Sequence, residues 1–207
     1  MIIKQFIQGF LDNNNYLLID EDSKEAVLID CTERNQEIED AIKDSGAKLK
    51  YVLFTHGHFD HILGGKYFRT KYGCKLLLHK DDQIILDNIE EFIGGFGMVI
   101  DANPPKIDEY IDENSKICFG KNEISVIHTP GHTPGGVCYK IDKYLFSGDT
   151  VFCESVGRTD LFGGSFSDIK ESVNKILKLD DKTLIYTGHG RPTTIEHEKE
   201  FNEIFNM

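Results

Sequence analysis

"FTHGHFDHILGG" (residues 54–65) ends an apolar run with His56, His58, Asp60 and His61 packed together, then closes on two glycines. Imidazole nitrogen suits zinc or iron(II), and a carboxylate adds neutralising charge and can join two ions. His56 and His58 stand two apart, so an extended loop points them the same way, whereas Asp60 and His61 turn elsewhere. Two ligand pairs that leave one loop in different directions suit two metal ions.

Upstream, "KYVLFT" (50–55) reads as a buried strand, and "ERNQEIEDAIKDSG" (33–46) as a helix with Ile38, Ala41 and Ile42 on one face and a stop at Gly46. "YLLID" and "EAVLID", joined by a polar turn, read as a hairpin. The resulting β-α-β unit delivers the histidines at the carboxyl end of a strand, where open α/β sheets build their sites. The arrangement recurs downstream. "EISVIHTPGH", "KYLFSGDT" and "TLIYTGHG" each run from a strand to one polar residue beside a glycine: His132, Asp149 and His189.

"HILGGKYFRTKYG" and "SFSDIKESVNKILKL" predict amphipathic helices, the second with Ile169, Val173, Ile176 and Leu177 on its apolar face. "TTIEHEKEFNEIF" predicts a last helix opened by a capping box of Thr193 with Glu196. Strands that alternate with helices and also come in runs imply two mixed sheets packed together with helices outside, in one domain over residues 1–207.

Composition narrows the function. The net charge of −12 is spread along 207 residues, which argues against nucleic acid or an anionic membrane surface and for a small substrate. No apolar stretch reaches the length of a membrane span and the N-terminus turns polar too early for a signal peptide, so the expected location is cytoplasmic. Cys31, Cys74, Cys118, Cys138 and Cys153 are odd in number and lack a C-x-x-C pair, which predicts reduced, mostly buried thiols.

"THGHFDH", "HTPGHTPGG", "FSGDT" and "TGHG" together resemble the metallo-β-lactamase fold superfamily over nearly the whole chain. The resemblance implies an α/β (α+β) αββα four-layer sandwich. It implies that His56, His58 and His132 hold one ion, Asp60, His61 and His189 the other, and that Asp149 bridges them. The expected cofactors are two divalent ions, zinc first, with iron or a zinc–iron mixture as the alternative. Such ions would activate a water to attack a carbonyl, with Asp60 as a ligand that also orients the nucleophile. The β-lactamases themselves usually lack a histidine where His61 stands, which points away from lactam hydrolysis.

"ESVGRTDLFGGSF" (154–166) resembles the G-R-T-D segment of short bacterial glyoxalase II-like proteins, which hydrolyse S-acyl thioesters. The expectation is a metal-dependent hydrolase of the hydroxyacylglutathione hydrolase type, acting on a small thioester or ester. Full-length glyoxalase II carries a further helical domain for glutathione, and this chain ends 18 residues after His189 (207 − 189), so glutathione specificity is not carried over. The same tetrad resembles the persulfide dioxygenases, in which case His56, His132 and Asp149 would hold a single iron. A binding module that carries metal without catalysis is the third class. Arg158 either grips a substrate carboxylate with its planar fork or pairs internally with Asp160.

Asp30 stands where the superfamily often has an aspartate near the metal loop, and it is expected to accept a hydrogen bond from a ligand histidine. His79, His128 and His197 have ordinary structural readings. "DNIEEFIGGFGMVIDANPPK" (87–106) is expected to pack on the body of the domain, with a loop over the pocket bearing Phe92, Phe96 and Met98 as the alternative.

Overall fold

Strict alternation of side chains along buried strands decides the layering. In β2 (Asn13–Ile19) every residue is buried, yet Leu17 and Ile19 pack with Ile38, Ile42 and Phe68, while Tyr16 and Leu18 pack with Ile124, Val126 and Tyr139. One strand therefore feeds two cores, as a period of two demands of a sheet covered on both faces.

The computed structural model describes residues 1–90, 93, 103–202 and 204. Phe92, Phe96 and Met98, with the suggested loop over the pocket, lie outside the described residues. The first sheet runs in the order β1 (Ile2–Gln8), β2, β3 (Glu25–Ile29), β4 (Lys48–Leu53), β5 (Lys75–His79) and β6 (Glu109–Ile111). Its first three strands are antiparallel and the rest parallel. The second sheet runs β14 (Thr193–Thr194), β13 (Leu184–Thr187), β10 (Tyr144–Gly148), β9 (Val137–Ile141), β8 (Asn122–His128) and β7 (Ile117–Phe119). A small hairpin, β11 (Val151–Phe152) with β12 (Ser155–Val156), follows β10.

A third core places Leu145 and Ile185 against Ile169, Val173, Ile176 and Ile195 on the outer helices. The order is therefore helices, sheet, sheet, helices, the expected αββα sandwich. No helix among the described residues is long and apolar enough to cross a membrane. Of the five cysteines, Cys31, Cys74 and Cys138 are buried and none is paired.

Helix Gln36–Ser45 is capped by Asn35, whose side chain accepts from the Glu37 and Ile38 N–H groups, and stops at Gly46 in the left-handed region. Helix Phe166–Ile176 starts on Ser165 and buries Ile169, Val173 and Ile176. Two expectations change. The helix predicted from His61 to Gly73 is two pieces, Phe59–Ile62 and Gly65–Tyr72. Gly64 N–H bonds to Cys31 O at 2.9 Å, and a Cβ at Gly64 would come within 2.5 Å of Cys31 Sγ, so the chain breaks there to pass beneath β3's exit. The last helix, Ile195–Phe201, is capped by Thr194, which accepts from His197 N–H. Thr193 lies in β14 and its hydroxyl donates to buried Glu198 at 2.6 Å, so the capping box of Thr193 with Glu196 does not form.

The sheets are tied together at the rim where their strands end. Tyr139 Oη donates to Phe54 O at 2.7 Å, Tyr16 Oη to Thr187 O at 2.7 Å, and Asn14 Nδ2 to Thr187 O and Gly190 O at 2.9 Å each. These bonds fasten the turn after β4 to β9, and β2 to the turn after β13.

Candidate metal centre

All seven residues expected as ligands meet at that rim. The outer nitrogens of His56, His58 and His132 lie within 4.8 Å of one another, as do the ligand atoms of Asp60, His61 and His189. Asp149 lies between the two groups: its Oδ2 is 3.5 Å from both His132 Nε2 and His189 Nε2, and its Oδ1 is 3.5 Å from His61 Nε2. Gly188 lets His189 approach, because a Cβ there would sit 2.1 Å from Asp149 Oδ1.

The inner faces of four imidazoles are fixed from behind. His61 Nδ1 donates to Asp30 Oδ2 at 2.8 Å, His132 Nδ1 to Arg158 O at 2.7 Å and His189 Nδ1 to Leu11 O at 2.9 Å, while His56 Nδ1 meets Thr55 Oγ1 at 3.1 Å. With Nδ1 so engaged, each ring turns Nε2 toward the centre, the arrangement that outer partners impose on ligand histidines. His56 Nε2, His132 Nε2 and Asp149 Oδ1 are buried and have no hydrogen-bond partner among the described residues. Buried polar atoms are almost always satisfied, so lone pairs orphaned around one point fit a cation, and an N/O donor set fits zinc or iron.

Electrostatics separates the two groups. Burial, reinforced by the neighbouring imidazoles, holds His56 far below the ordinary imidazole range and takes His58 down to about 3. At His61 burial acts downward, but the carboxylates of Asp60, Asp149 and Asp30 outweigh it and pull the ring up. Asp149 and Asp60 do the same to His189. Burial would raise Asp60 and Asp149, yet His61 and His189 hold both carboxyls down, Asp149 to about 2. His56 and His58 are thereby kept neutral, and the group around Asp60 draws positive charge.

Asp30 meets its expectation. It takes Thr55 N–H at 2.7 Å and Thr55 Oγ1 at 2.8 Å beside His61, from a backbone at φ +57°. Arg158 pairs with Asp160 through two bonds of 2.7 Å, and it also lines the cleft of about 220 Å³ over the metal ligands with Leu11, Phe59 and Leu161. His79 stacks on His128 at 4.2 Å, His128 Nε2 bonds Pro134 O at 3.0 Å, and His197 Nε2 bonds Glu154 at 3.0 Å.

Three residues near the centre were missed. Asn13 places Nδ2 2.8 Å from Asp60 Oδ2. Asp82, fully buried, accepts from Gly57 N–H at 2.7 Å, Thr133 Oγ1 at 2.8 Å and Gly135 N–H at 2.5 Å, so it ties the His56–His58 turn to the turn after His132. Burial pushes its carboxyl up to about 6 against those donors. Arg34 lines a second cleft of about 280 Å³ that shares Phe59 and Asp60 with the first, and Phe10 stacks on Phe59 at 6.4 Å along it. The triplet Asn13-Asn14-Asn15 opening a fully buried strand was the available signal.

Residues 9–189 match the profile of the Metallo-beta-lactamase superfamily. Hydroxyacylglutathione hydrolase GloC of Haemophilus influenzae is 32% identical over 198 residues, which cover 93% of this chain and 92% of that protein. Among solved structures, the BLEG-1 B3 metallo-beta-lactamase superposes with a TM-score of 0.90 at 34% identity, covering all of both chains. TTHA1623 in a di-iron-bound form superposes at 0.85 with 29% identity, covering 96% of this chain and 98% of its own. Family profile, full-length likeness and the histidine–aspartate rim agree: the chain belongs to the metallo-beta-lactamase superfamily and is a metallo-hydrolase-family protein.

Proposed function

We propose that this protein is a dinuclear hydrolase of small S-acyl thioesters. The observation that carries the reading is the set of buried, unpartnered atoms converging from His56, His132 and Asp149, with the Nδ1 of both imidazoles fixed from behind. His56, His58 and His132 would hold one ion, Asp60, His61 and His189 the second, and Asp149, between the two groups, would serve both. Divalent ions there supply a Lewis acid for the acyl carbonyl and lower the pKa of a water enough for attack at neutral pH. Zinc suits the donor set, and the di-iron relative supports iron as well.

The chain's own groups do the rest. Asp60 has Oδ2 turned to the centre, 3.6 Å from His61 Nε2 and His189 Nε2, where it can orient the attacking water. Phe59 and Asp60 line both clefts, and a thioester has two arms, acyl and thiol, that leave the reacting carbon in different directions. Arg34 engages Glu39 through Nε at 3.1 Å, and its Nη groups make no hydrogen bond among the described residues, so it can grip a carboxylate on the larger arm. Arg158 guards the other cleft but must first release Asp160. Thioesters are favoured over other esters by the G-R-T-D segment and by the hydroxyacylglutathione hydrolase relative.

The test is thiol release from a thioester panel that includes S-lactoylglutathione, by protein carrying two ions per chain, with a chromogenic β-lactam alongside. Turnover lost in Asp60→Ala and Asp149→Ala is expected. A fully loaded protein that releases no thiol from any member of the panel would overturn the reading, and lactam cleavage or a single bound iron would replace it.

A further inference from the structure

Asp60 Oδ2, His61 Nε2 and His189 Nε2 form a near-equilateral triangle, with sides of 3.6, 3.4 and 3.6 Å. Asn13 Nδ2 caps it, at 2.8 Å from the carboxylate and 3.0 and 3.4 Å from the two ring nitrogens. The backbone sets this position: Asn13 is bridged to His189, and Asn14 N–H bonds to Gly188 O at 2.8 Å. The residue is 1% exposed, so no solvent competes for its amide.

The other end of the same amide is unsatisfied. Asn13 Oδ1 is buried with no hydrogen-bond partner among the described residues. Leaving a buried carbonyl oxygen unpaired is costly, and the amide tolerates it while its two N–H groups face a carboxylate oxygen and two ring nitrogens, a cluster that attracts positive charge. An amide N–H, a proton and a metal ion are alternative answers to that attraction. An ion at the triangle repels the inward N–H groups, so the amide must turn or withdraw, which gives up its hydrogen bonds.

We propose that Asn13 is a built-in competitor for the second ion: its amide stands in for a cation at Asp60, His61 and His189 and makes this position weaker, and later to fill, than that of His56, His58 and His132. The proposal rests on the dinuclear reading. It makes metal occupancy, and with it the switch between one-ion and two-ion forms, a property of a residue outside the ligand set.

The experiment titrates metal-free protein with zinc by calorimetry, and with cobalt(II) followed by its visible absorption, in the wild type, Asn13→Ala and Asn13→Leu. Asn13→Leu keeps the side chain's size without adding a charge or a donor and serves if the alanine variant does not fold. The expected result is two binding steps, with the second tightened about tenfold in the variants, the worth of a lost hydrogen bond to a charged group, and the first changed less than about threefold. Binding of one ion by the wild type and two by a variant would support the proposal in its strongest form. A second step no tighter in any folded variant overturns it while leaving the dinuclear reading intact. One ion in every protein would instead remove the dinuclear reading, and the proposal with it. Turnover enters none of these readouts.

Discussion

Asp30→Asn isolates the hydrogen bond behind one ligand. Asp30 is 2% exposed and accepts three times: Oδ1 from Thr55 N–H, Oδ2 from Thr55 Oγ1 and from His61 Nδ1. Asparagine matches the carboxylate in size and is among the residues that best tolerate a positive φ, so the backbone at φ +57° is not a confounding strain. Its oxygen keeps the Thr55 N–H bond, which leaves the amide nitrogen facing His61 Nδ1. Two donors then meet. His61 must either keep that clash or move its proton to Nε2, which turns the lone pair away from the centre. An unmet buried donor costs about 1–3 kcal/mol, which corresponds to roughly 5- to 150-fold in a binding constant. Loss of an outer partner to a ligand histidine independently lowers metal affinity about 10- to 100-fold. The two ranges coincide, so the second ion should bind about 10- to 100-fold more weakly in Asp30→Asn, with the first little changed. Zinc competition against a chromogenic chelator measures both constants. A second constant within about threefold of wild type, in a variant that unfolds at the wild-type urea midpoint, would refute this account of His61.

Asp82→Ala strips the acceptor from two buried backbone N–H groups and should destabilise the metal-free protein by about 2–4 kcal/mol; an unchanged urea midpoint would exclude the clamp between the two ligand turns. Arg34→Ala should raise KM about tenfold for a thioester whose thiol bears a carboxylate, and leave an uncharged N-acetylcysteamine thioester unaffected, whereas Arg158→Ala, losing a pair exposed to solvent, should change KM less than threefold. Equal effects of both arginines on both substrates would show that neither cleft is selective. Lys71 and Tyr67, with Arg34, hold buried Glu39 down to about 2 against its burial. A lowered carboxyl contributes stability that is complete above the unfolded value near 4.5 and fades as pH falls toward 2. Urea midpoints of the wild type should therefore fall across that window more steeply than those of Glu39→Gln, and parallel curves would contradict it.

Most of the fold was legible because buried strands announce themselves as apolar runs. Four of the candidate ligands were legible for the same local reason, since His56, His132, Asp149 and His189 sit within a turn of a strand end. What lay outside local reach was set by distant parts of the chain. "KDD" looks like a solvated turn, yet Asp82 is fully buried because the turns carrying Gly57 and Gly135 close over it. The break at Gly64 comes from Cys31, more than thirty residues earlier. Thr193 and Thr194 are equivalent as capping letters, and only the pairing of β14 with β13 assigns the cap to the second. Asn13 could be noticed as polar in a buried strand, but its target is made by residues from two other segments, Asp60 with His61 and His189.

The order of the strands has a consequence for how the molecule could be taken apart. Strands β1 to β6 form one sheet and β7 to β10 with β13 and β14 the other, and among the described residues no strand is exchanged between them. A cut in the exposed Asp112–Ser115 turn would therefore yield two fragments, each with a whole sheet but only part of every ligand group. His56, His58, Asp60 and His61 would stay with one piece, and His132, Asp149 and His189 with the other. If the centre holds divalent ions as proposed, the metal becomes the reagent that reunites them, and fragment complementation would read metal binding as assembly.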